Sequence, residues 1–155
     1  MDTRNITKIV RNMGLYKRKI SKGKEDLNET EFEMIRYVTK REKRSFKEIS
    51  DYLNVDKGLV TRMSKKLNKS GYLLIENDSI DKRKKYLIAT PKAYLLKETN
   101  EINEYDFYDA CLKVLSAEEK ETFSNLLDKI YLESKRLRKT SFEGISKNEK
   151  EDNKI

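Results

Sequence analysis

Apolar residues recur along most of the chain at steps of three and four, which is the spacing of an amphipathic helix. The helices predicted from this pattern cover residues 3–21, 28–42, 45–53, 56–70, 92–115 and 116–138. A loop is predicted between the first two helices, at residues 21–26, where the chain is polar and contains Gly23.

The spacing changes between the fourth and fifth helices. Residues 72–76 and 85–90 are rich in β-branched and aromatic side chains, and the stretch between them is polar. This arrangement predicts a two-stranded β-hairpin. Pro91, the only proline, suits the first turn of the next helix. The predicted fold is mainly α-helical with one small hairpin (α+β), and residues 140–155, which are charged and aperiodic, are predicted to form a disordered tail.

Several helix starts carry specific capping signals. Asn28, Ser45 and Ser116 are each followed three residues later by glutamate, which is the pattern of a capping box. Asp56 is placed to cap the fourth helix, and Gly71 is placed to end it. These signals locate two short helices, joined by a tight connection, directly before the hairpin.

The composition excludes several classes of function. The hydrophobic share is 36% and the charged share 40%, which favours an elongated helical protein that shares its core with a partner chain over an enzyme with a deep core. There is no histidine, only one cysteine (Cys111), and no glycine spacing typical of a phosphate-binding loop. We therefore expect no catalytic site, no metal site and no cofactor.

Membrane insertion and secretion are not expected either. The longest uninterrupted apolar runs are four residues, whereas a membrane-spanning helix needs about 20. The first ten residues contain no apolar segment of the kind found in signal peptides. These observations favour a soluble protein of the cytoplasm.

Positive charge is concentrated in one part of the chain. The formal net charge is +8, from 35 Lys and Arg against 27 Asp and Glu. A Lys-rich composition alone has an equally good explanation in compositional bias. However, residues 56–85 hold nine basic and four acidic side chains, so +5 of the +8 falls on 30 residues, where an even distribution would give roughly +1.5. This concentration favours a polyanionic partner.

Two short helices followed by a hairpin form the pattern of a winged helix-turn-helix, whose second helix enters the DNA major groove. The predicted DNA-binding residues are Lys57, Gly58, Thr61, Arg62, Lys65, Lys66, Lys69, Asp81, Arg83 and Lys84. Small or hydroxylated side chains at the helix start permit close approach to DNA, Arg62 suits bidentate bonding to guanine, and the later lysines suit the DNA backbone. On the hairpin, Arg83 suits a narrow A·T-rich minor groove, with Asp81 holding its side chain extended.

The chain resembles the MarR (multiple antibiotic resistance regulator) family of winged helix-turn-helix regulators over about residues 5–137. The segments that carry the resemblance are 27–32 (LNETEF), 49–57 (ISDYLNVDK), 60–62 (VTR), 67–72 (LNKSGY), 81–83 (DKR) and 89–91 (ATP). The resemblance implies a homodimer held together by residues 1–27 and 92–139, with residues 28–91 as the DNA-binding domain. It further implies binding to a pseudo-palindromic double-stranded operator, repression, and release by a small aromatic or phenolic effector.

Some features have more than one interpretation. Tyr16, Tyr37, Tyr52 and Tyr108 are candidates for lining an effector pocket, although aromatic residues at helical spacing more often belong to the core. Cys111 is interpreted as a small packed residue rather than a redox sensor. The alternative function is a constitutive, architectural winged-helix DNA binder without an effector, and an enzyme of unknown type is the least favoured hypothesis.

Overall fold

The structure is a computed structural model, and it describes residues 2–21 and 27–145. The elements in chain order are α1 (Arg4–Ile20), α2 (Glu29–Val38), β1 (Arg44–Ser45), α3 (Phe46–Leu53), α4 (Lys57–Lys69), β2 (Leu73–Asn77), β3 (Lys85–Ala89), α5 (Pro91–Leu112) and α6 (Ala117–Lys139). Residues 22–26 of the predicted loop lie outside the described residues, and so do residues 146–155 of the predicted tail. Residues 141–144 form turns.

The three predicted capping boxes are present. At the start of α2 the Asn28 side chain accepts the Glu31 backbone N–H at 2.9 Å, and Glu31 accepts the Asn28 backbone N–H at 3.1 Å. Reciprocal pairs of the same kind begin α3 and α6 at Ser45 and Ser116. Asp56 caps α4 through the Leu59 N–H at 2.8 Å. Such caps are worth about 1 kcal/mol each because they satisfy N–H groups that have no partner within the helix.

The second helix is shorter than predicted. It ends at Val38 and not near Glu42, because the chain tightens into i→i+3 turns, with the N–H groups of Lys40 and Arg41 donating to the carbonyls of Tyr37 and Val38. The fifth helix likewise ends at Leu112, three residues before the predicted end. Residues 39–42 are polar and contain no glycine or proline that would mark the end of the second helix, and the apolar spacing of the fifth helix continues past Leu112 to Leu115.

The hairpin was predicted correctly, but the sheet has a third strand that was not predicted. Strand β3 pairs antiparallel with β2, from Leu73 opposite Ala89 to Asn77 opposite Lys85. On its other side β3 pairs with β1, which places Ser45 opposite Tyr86. The sheet order is therefore β1-β3-β2, and the start of α3 is joined to the base of the hairpin.

The chain divides into two compact units, Met1–Tyr108 and Asp109–Ile155. The buried core of the first unit lies between α2, α3, α4 and the sheet. Its fully buried large side chains are Met34, Ile35, Val38, Ile49, Val60, Leu67, Leu73 and Leu87. This core fixes α4 and the hairpin against one another, which sets the geometry of the surface described next.

In the second unit, the long helix α6 has no buried residue within the single chain. Five of its apolar side chains are 43–57% exposed and fall on steps of three and four: Phe123, Leu126, Leu127, Ile130 and Tyr131. Cys111, at the end of α5, is exposed. The interpretation of Cys111 as a packed residue is therefore wrong for the single chain, because no described neighbour covers it.

Candidate nucleic-acid interface

The start of α4, the hairpin and the start of α3 together line one open groove of about 410 Å³. Lys57 and Thr61 lie on its α4 side, and Arg83, Lys84 and Lys85 lie on its hairpin side. Ser45, Phe46 and Lys47 complete the lining from the start of α3. Five of the eight lining residues carry a positive charge and none carries a negative one, so the groove is suited to a polyanion.

Four of the predicted DNA-binding residues line the groove. Other residues that line it were not predicted from the sequence. Lys57, Thr61, Arg83 and Lys84 were predicted, whereas Lys47 and Lys85 were not. Lys47 comes close to the hairpin because β1 pairs with β3. A two-residue strand has no detectable period, so no signal in the sequence indicated this contact. Lys85 was part of the basic stretch and could have been included on charge alone.

Thr61 lies near the exposed N-terminal end of α4, and its hydroxyl proton is already donated in a hydrogen bond within the helix. Its Oγ1 donates to the Lys57 carbonyl at 2.9 Å. The hydroxyl oxygen and the methyl group remain as the parts that can meet a ligand. Thr61 is therefore suited to accept a hydrogen bond or to contact an apolar group such as a thymine methyl.

Gly58 leaves room for the Arg62 side chain over the first turn of α4. A Cβ atom at position 58 would lie 3.5 Å from Arg62 Nη1 and 3.0 Å from the Asp56 carboxylate. The guanidinium of Arg62 is thus directed back toward the N-terminal end of the helix. In a winged helix-turn-helix this is the end that approaches base edges.

Two carboxylates hold the tip of the hairpin. Asp78 Oδ1 accepts the backbone N–H groups of Ile80 and Asp81, each at 2.9 Å, and Oδ2 accepts the Tyr86 hydroxyl at 3.3 Å. The backbone N–H groups of Asp81 and Ile80 hold the pKa of the Asp78 carboxyl below its usual range. Asp78 therefore stays ionised at neutral pH and keeps the turn closed.

The second carboxylate, that of Asp81, accepts hydrogen bonds from Arg83. Its Oδ1 accepts the Arg83 backbone N–H at 3.1 Å and the Arg83 Nε–H at 3.3 Å. The Arg83 side chain is nevertheless 93% exposed. The base of the side chain is fixed while its end projects into solvent, as the sequence predicted for the Asp81–Arg83 pair.

Lys43 braces the hairpin from outside the groove. Its ammonium lies 3.1 Å from Glu76 Oε1 and 4.7 Å from the centre of the Tyr86 ring. The hydrogen bond and charge of Glu76 raise the pKa of Lys43. Because Glu76 and Tyr86 lie opposite each other on β2 and β3, Lys43 ties both strands to the segment before β1.

The predicted residues Lys65, Lys66 and Lys69 do not line the groove. Lys65 and Lys69 are exposed on later turns of α4. Lys66 instead reaches α2, where its ammonium lies 2.8 and 2.9 Å from the two carboxylate oxygens of Glu31. Glu31 is 4% exposed and also closes the capping box of α2, so this ion pair joins the middle of α4 to the start of α2.

We expect Lys65→Ala to lower the slope of log affinity for DNA against log salt by about one for each phosphate that the lysine no longer neutralises. Lys66→Ala should leave that slope nearly unchanged and lower the free energy of unfolding, because it leaves the nearly buried Glu31 carboxylate without its cation. DNA titrations at several salt concentrations, with urea unfolding of both variants, measure these effects. A slope reduced equally by both substitutions would contradict the assignment of Lys66 to folding.

The four candidate effector tyrosines are not brought into one cavity. Tyr37 and Tyr52 stack with ring centres 3.9 Å apart, and the Arg44 guanidinium lies 4.0 Å from the Tyr37 ring centre. Tyr16 and Tyr108 instead both contact Phe107, at 5.8 and 5.3 Å. A shallow pocket on α5 is lined by other residues, Glu98, Glu101, Ile102 and Tyr105.

Close to Phe107 is a small polar cluster on the partly buried side of α5. The Lys17 ammonium lies 3.0 Å from Glu104 Oε1, and the same oxygen accepts the Asn100 side-chain N–H at 2.8 Å. Lys17 also lies 5.4 Å from the ring centre of Phe32. The cluster joins α1, α2 and α5 within the first unit.

Metal-binding and membrane-spanning features were sought in residues 2–21 and 27–145. Within these ranges no group of His, Cys, Asp or Glu side chains is arranged to hold a metal ion. No helix there is long and apolar enough to cross a membrane.

Comparison with known proteins identifies the type of domain. Residues 27–85 match the model of the MarR family, which covers the segment from α2 to the start of β3. None of the curated proteins matches the chain in sequence.

Solved structures share the fold. The YusO protein of Bacillus subtilis superposes with a TM-score of 0.69 at 17% identity, covering 83% of this chain and 88% of YusO. FabT of Streptococcus pneumoniae, solved in complex with DNA, gives 0.69 at 21% identity, covering 86% and 95%. BpsR of Bordetella bronchiseptica, whose DNA binding is regulated by 6-hydroxynicotinic acid, gives 0.58 at 15% identity, covering 84% and 93%.

Proposed function

We propose that this chain, whose residues 27–85 match the model of the MarR family, is a sequence-specific regulator that binds double-stranded DNA with the groove between α3, α4 and the hairpin. The observation that carries the proposal is the convergence of five cations on that groove without an acidic lining residue. FabT, which shares the fold, is a DNA-bound example. Such a regulator would act in the cytoplasm.

In the proposed complex the N-terminal end of α4 enters the major groove. Thr61 and Arg62 contact base edges, and Lys57 contacts a phosphate near the helix start. The hairpin is the wing, and it places Arg83 in the adjacent minor groove. Lys47, Lys84 and Lys85 bind the DNA backbone between the two grooves, where they add affinity without reading sequence.

Selection from random-sequence duplex DNA tests this proposal. The full chain should enrich one motif and bind it at least about 1,000-fold more tightly than an unrelated duplex at physiological salt. The motif should be a pseudo-palindrome if the protein binds as a dimer. Failure to enrich any motif, with equal binding to duplex DNA and heparin, would refute sequence-specific recognition.

The proposed regulator is a homodimer. The apolar side of α6 is exposed along its length in the single chain, and α1 has its own exposed side with Ile6, Ile9 and Val10. Contiguous apolar surface of this kind is typical of an interface between subunits. A second copy of the chain covers these faces in the proposal and places two copies of α4 about one DNA turn apart, ~34 Å.

The outcome of binding is proposed to be repression, relieved by a small aromatic or phenolic effector. BpsR, which has the same fold, supports an aromatic acid as the class of effector. In this chain Tyr16, Phe107 and Tyr108 form an aromatic cluster next to the Lys17–Glu104 pair, which supplies apolar faces and a cation. An effector bound there would contact α1 and α5. A movement of Lys17 caused by the effector would then be transmitted to α2.

The alternative proposal is a constitutive, architectural DNA binder without an effector. It is favoured by the division of the four candidate tyrosines between two separate clusters. A thermal-shift series with hydroxylated benzoic, phenylacetic and nicotinic acids distinguishes the two proposals. Stabilisation together with loss of DNA binding supports the regulated form, and no shift with unchanged DNA binding supports the architectural form.

A further inference from the structure

The tip of the wing carries an apolar side chain that the proposed function does not yet use. Ile80 is 95% exposed, more than any other large apolar side chain among the described residues. It stands on the same turn as Arg83, three residues earlier. Resting on the proposed DNA-binding function, we propose that Ile80 enters the minor groove beside Arg83 and packs against the deoxyribose walls, as a second determinant of groove-width specificity.

The backbone of the tip presents Ile80 in a fixed position. Asp78 accepts the Ile80 backbone N–H at 2.9 Å. The ends of the turn are joined by the Asp78 N–H to the Lys84 carbonyl and by the Lys84 N–H to the Asp81 carbonyl, each at 2.9 Å. Because Ile is β-branched, its side chain has few rotamers to lose on binding. Little ordering is therefore needed when the tip meets DNA.

The charges around Ile80 also fit this position. Both acidic groups of the tip, Asp78 and Asp81, are turned to backbone N–H groups of the turn itself. The end of Arg83 remains exposed and is attracted to the negative potential of a narrow minor groove. Isoleucine adds no charge that phosphates would repel, and apolar side chains are among those that proteins insert into minor grooves.

The proposed contact depends on the width of the groove. In an A·T-rich segment both sugar-phosphate walls come close enough to contact one side chain, whereas a wider G·C segment leaves a gap. Ile80 would thus read shape and not base edges. Since an apolar contact releases no counterions, its removal should leave the salt dependence of binding unchanged.

The test compares Ile80→Ser, Ile80→Val and Ser79→Ala in the full chain. The probes are the duplex selected by the wild type and a copy with G·C pairs under the wing. We expect Ile80→Ser to weaken binding to an A·T-rich site about tenfold, equivalent to about 1.4 kcal/mol, with an unchanged salt slope. Ile80→Val should retain most of the affinity, and Ser79→Ala should match the wild type. Thermal unfolding should be the same for all.

Two results would overturn the inference. One is wild-type affinity for Ile80→Ser on the selected duplex. The other is an equal loss on the A·T and G·C versions, which would mean that groove width is not read. Both require that the wild type selects a duplex in the first place. If it selects none, the proposed function itself fails, and that outcome is thereby distinguishable from failure of the Ile80 contact alone.

Discussion

Leu127→Glu is expected to convert the protein to monomers and to weaken binding to its selected duplex by at least about 100-fold. Leu127 lies in the middle of the exposed apolar side of α6 and is 49% exposed in the single chain. In a symmetric interface the substitution places two carboxylates in apolar surroundings, at a large desolvation cost. Loss of the dimer also removes the gain from binding two half-sites at once, typically 10²- to 10⁴-fold. Sedimentation equilibrium and DNA titration measure the two effects.

The matched control is Asn125→Glu, which adds the same charge on the same helix. Asn125 is exposed and, at 100° per residue, lies on the opposite side of α6 from Leu127. It should leave both assembly and DNA affinity close to wild type. A Leu127→Glu protein that still sediments as a dimer would show that α6 is not the interface.

Arg83→Ala is expected to weaken binding to the selected duplex about 100-fold. Each half-site loses one guanidinium from the minor groove, worth about tenfold, and a dimer carries two. Asp81 already holds the base of the side chain, so little ordering is needed on binding. The slope of log affinity against log salt should fall by about two, one for each cation removed.

Lys82→Ala is the control for net charge, since it removes one positive charge from the neighbouring residue. Lys82 is exposed but is not part of the groove lining, so it should cost far less than Arg83→Ala. Equal losses for the two variants would mean that the wing contributes only a diffuse positive field. Unfolding curves of both variants should overlay that of the wild type, because neither side chain is part of the core.

Local signals predicted most of the fold. The capping boxes at Asn28, Ser45 and Ser116 involve residues three apart in the chain, and the structure contains all of them. The hairpin was detectable because the spacing of apolar residues changed on both sides of a polar turn. The Asp81–Arg83 contact spans two residues. In each case the interacting groups are close in sequence, so the local pattern of residues was sufficient to predict the contact.

Contacts between distant segments were not predicted. Strand β1 has only two residues, and it forms by pairing antiparallel with the edge of β3. That pairing brings Lys47 to the groove, and no local pattern indicated it. Lys66 was predicted to contact DNA because it is basic and on α4, but its partner Glu31 lies 35 residues away. Charge in the sequence showed which residues were cationic but not which of them were already paired.

Hydroxyl-radical footprinting on the selected duplex tests the DNA-binding groove most directly, because it locates each contacted part of the DNA backbone. The account predicts two protected segments whose centres lie about one helical turn apart, each flanked by a protected minor groove under the wing. In the Arg83→Ala protein the flanking protection should weaken markedly while the central protection persists at saturating protein. Protection unchanged in that variant, or a single segment with no two-fold symmetry, would contradict the proposed arrangement of α4 and the wing on DNA.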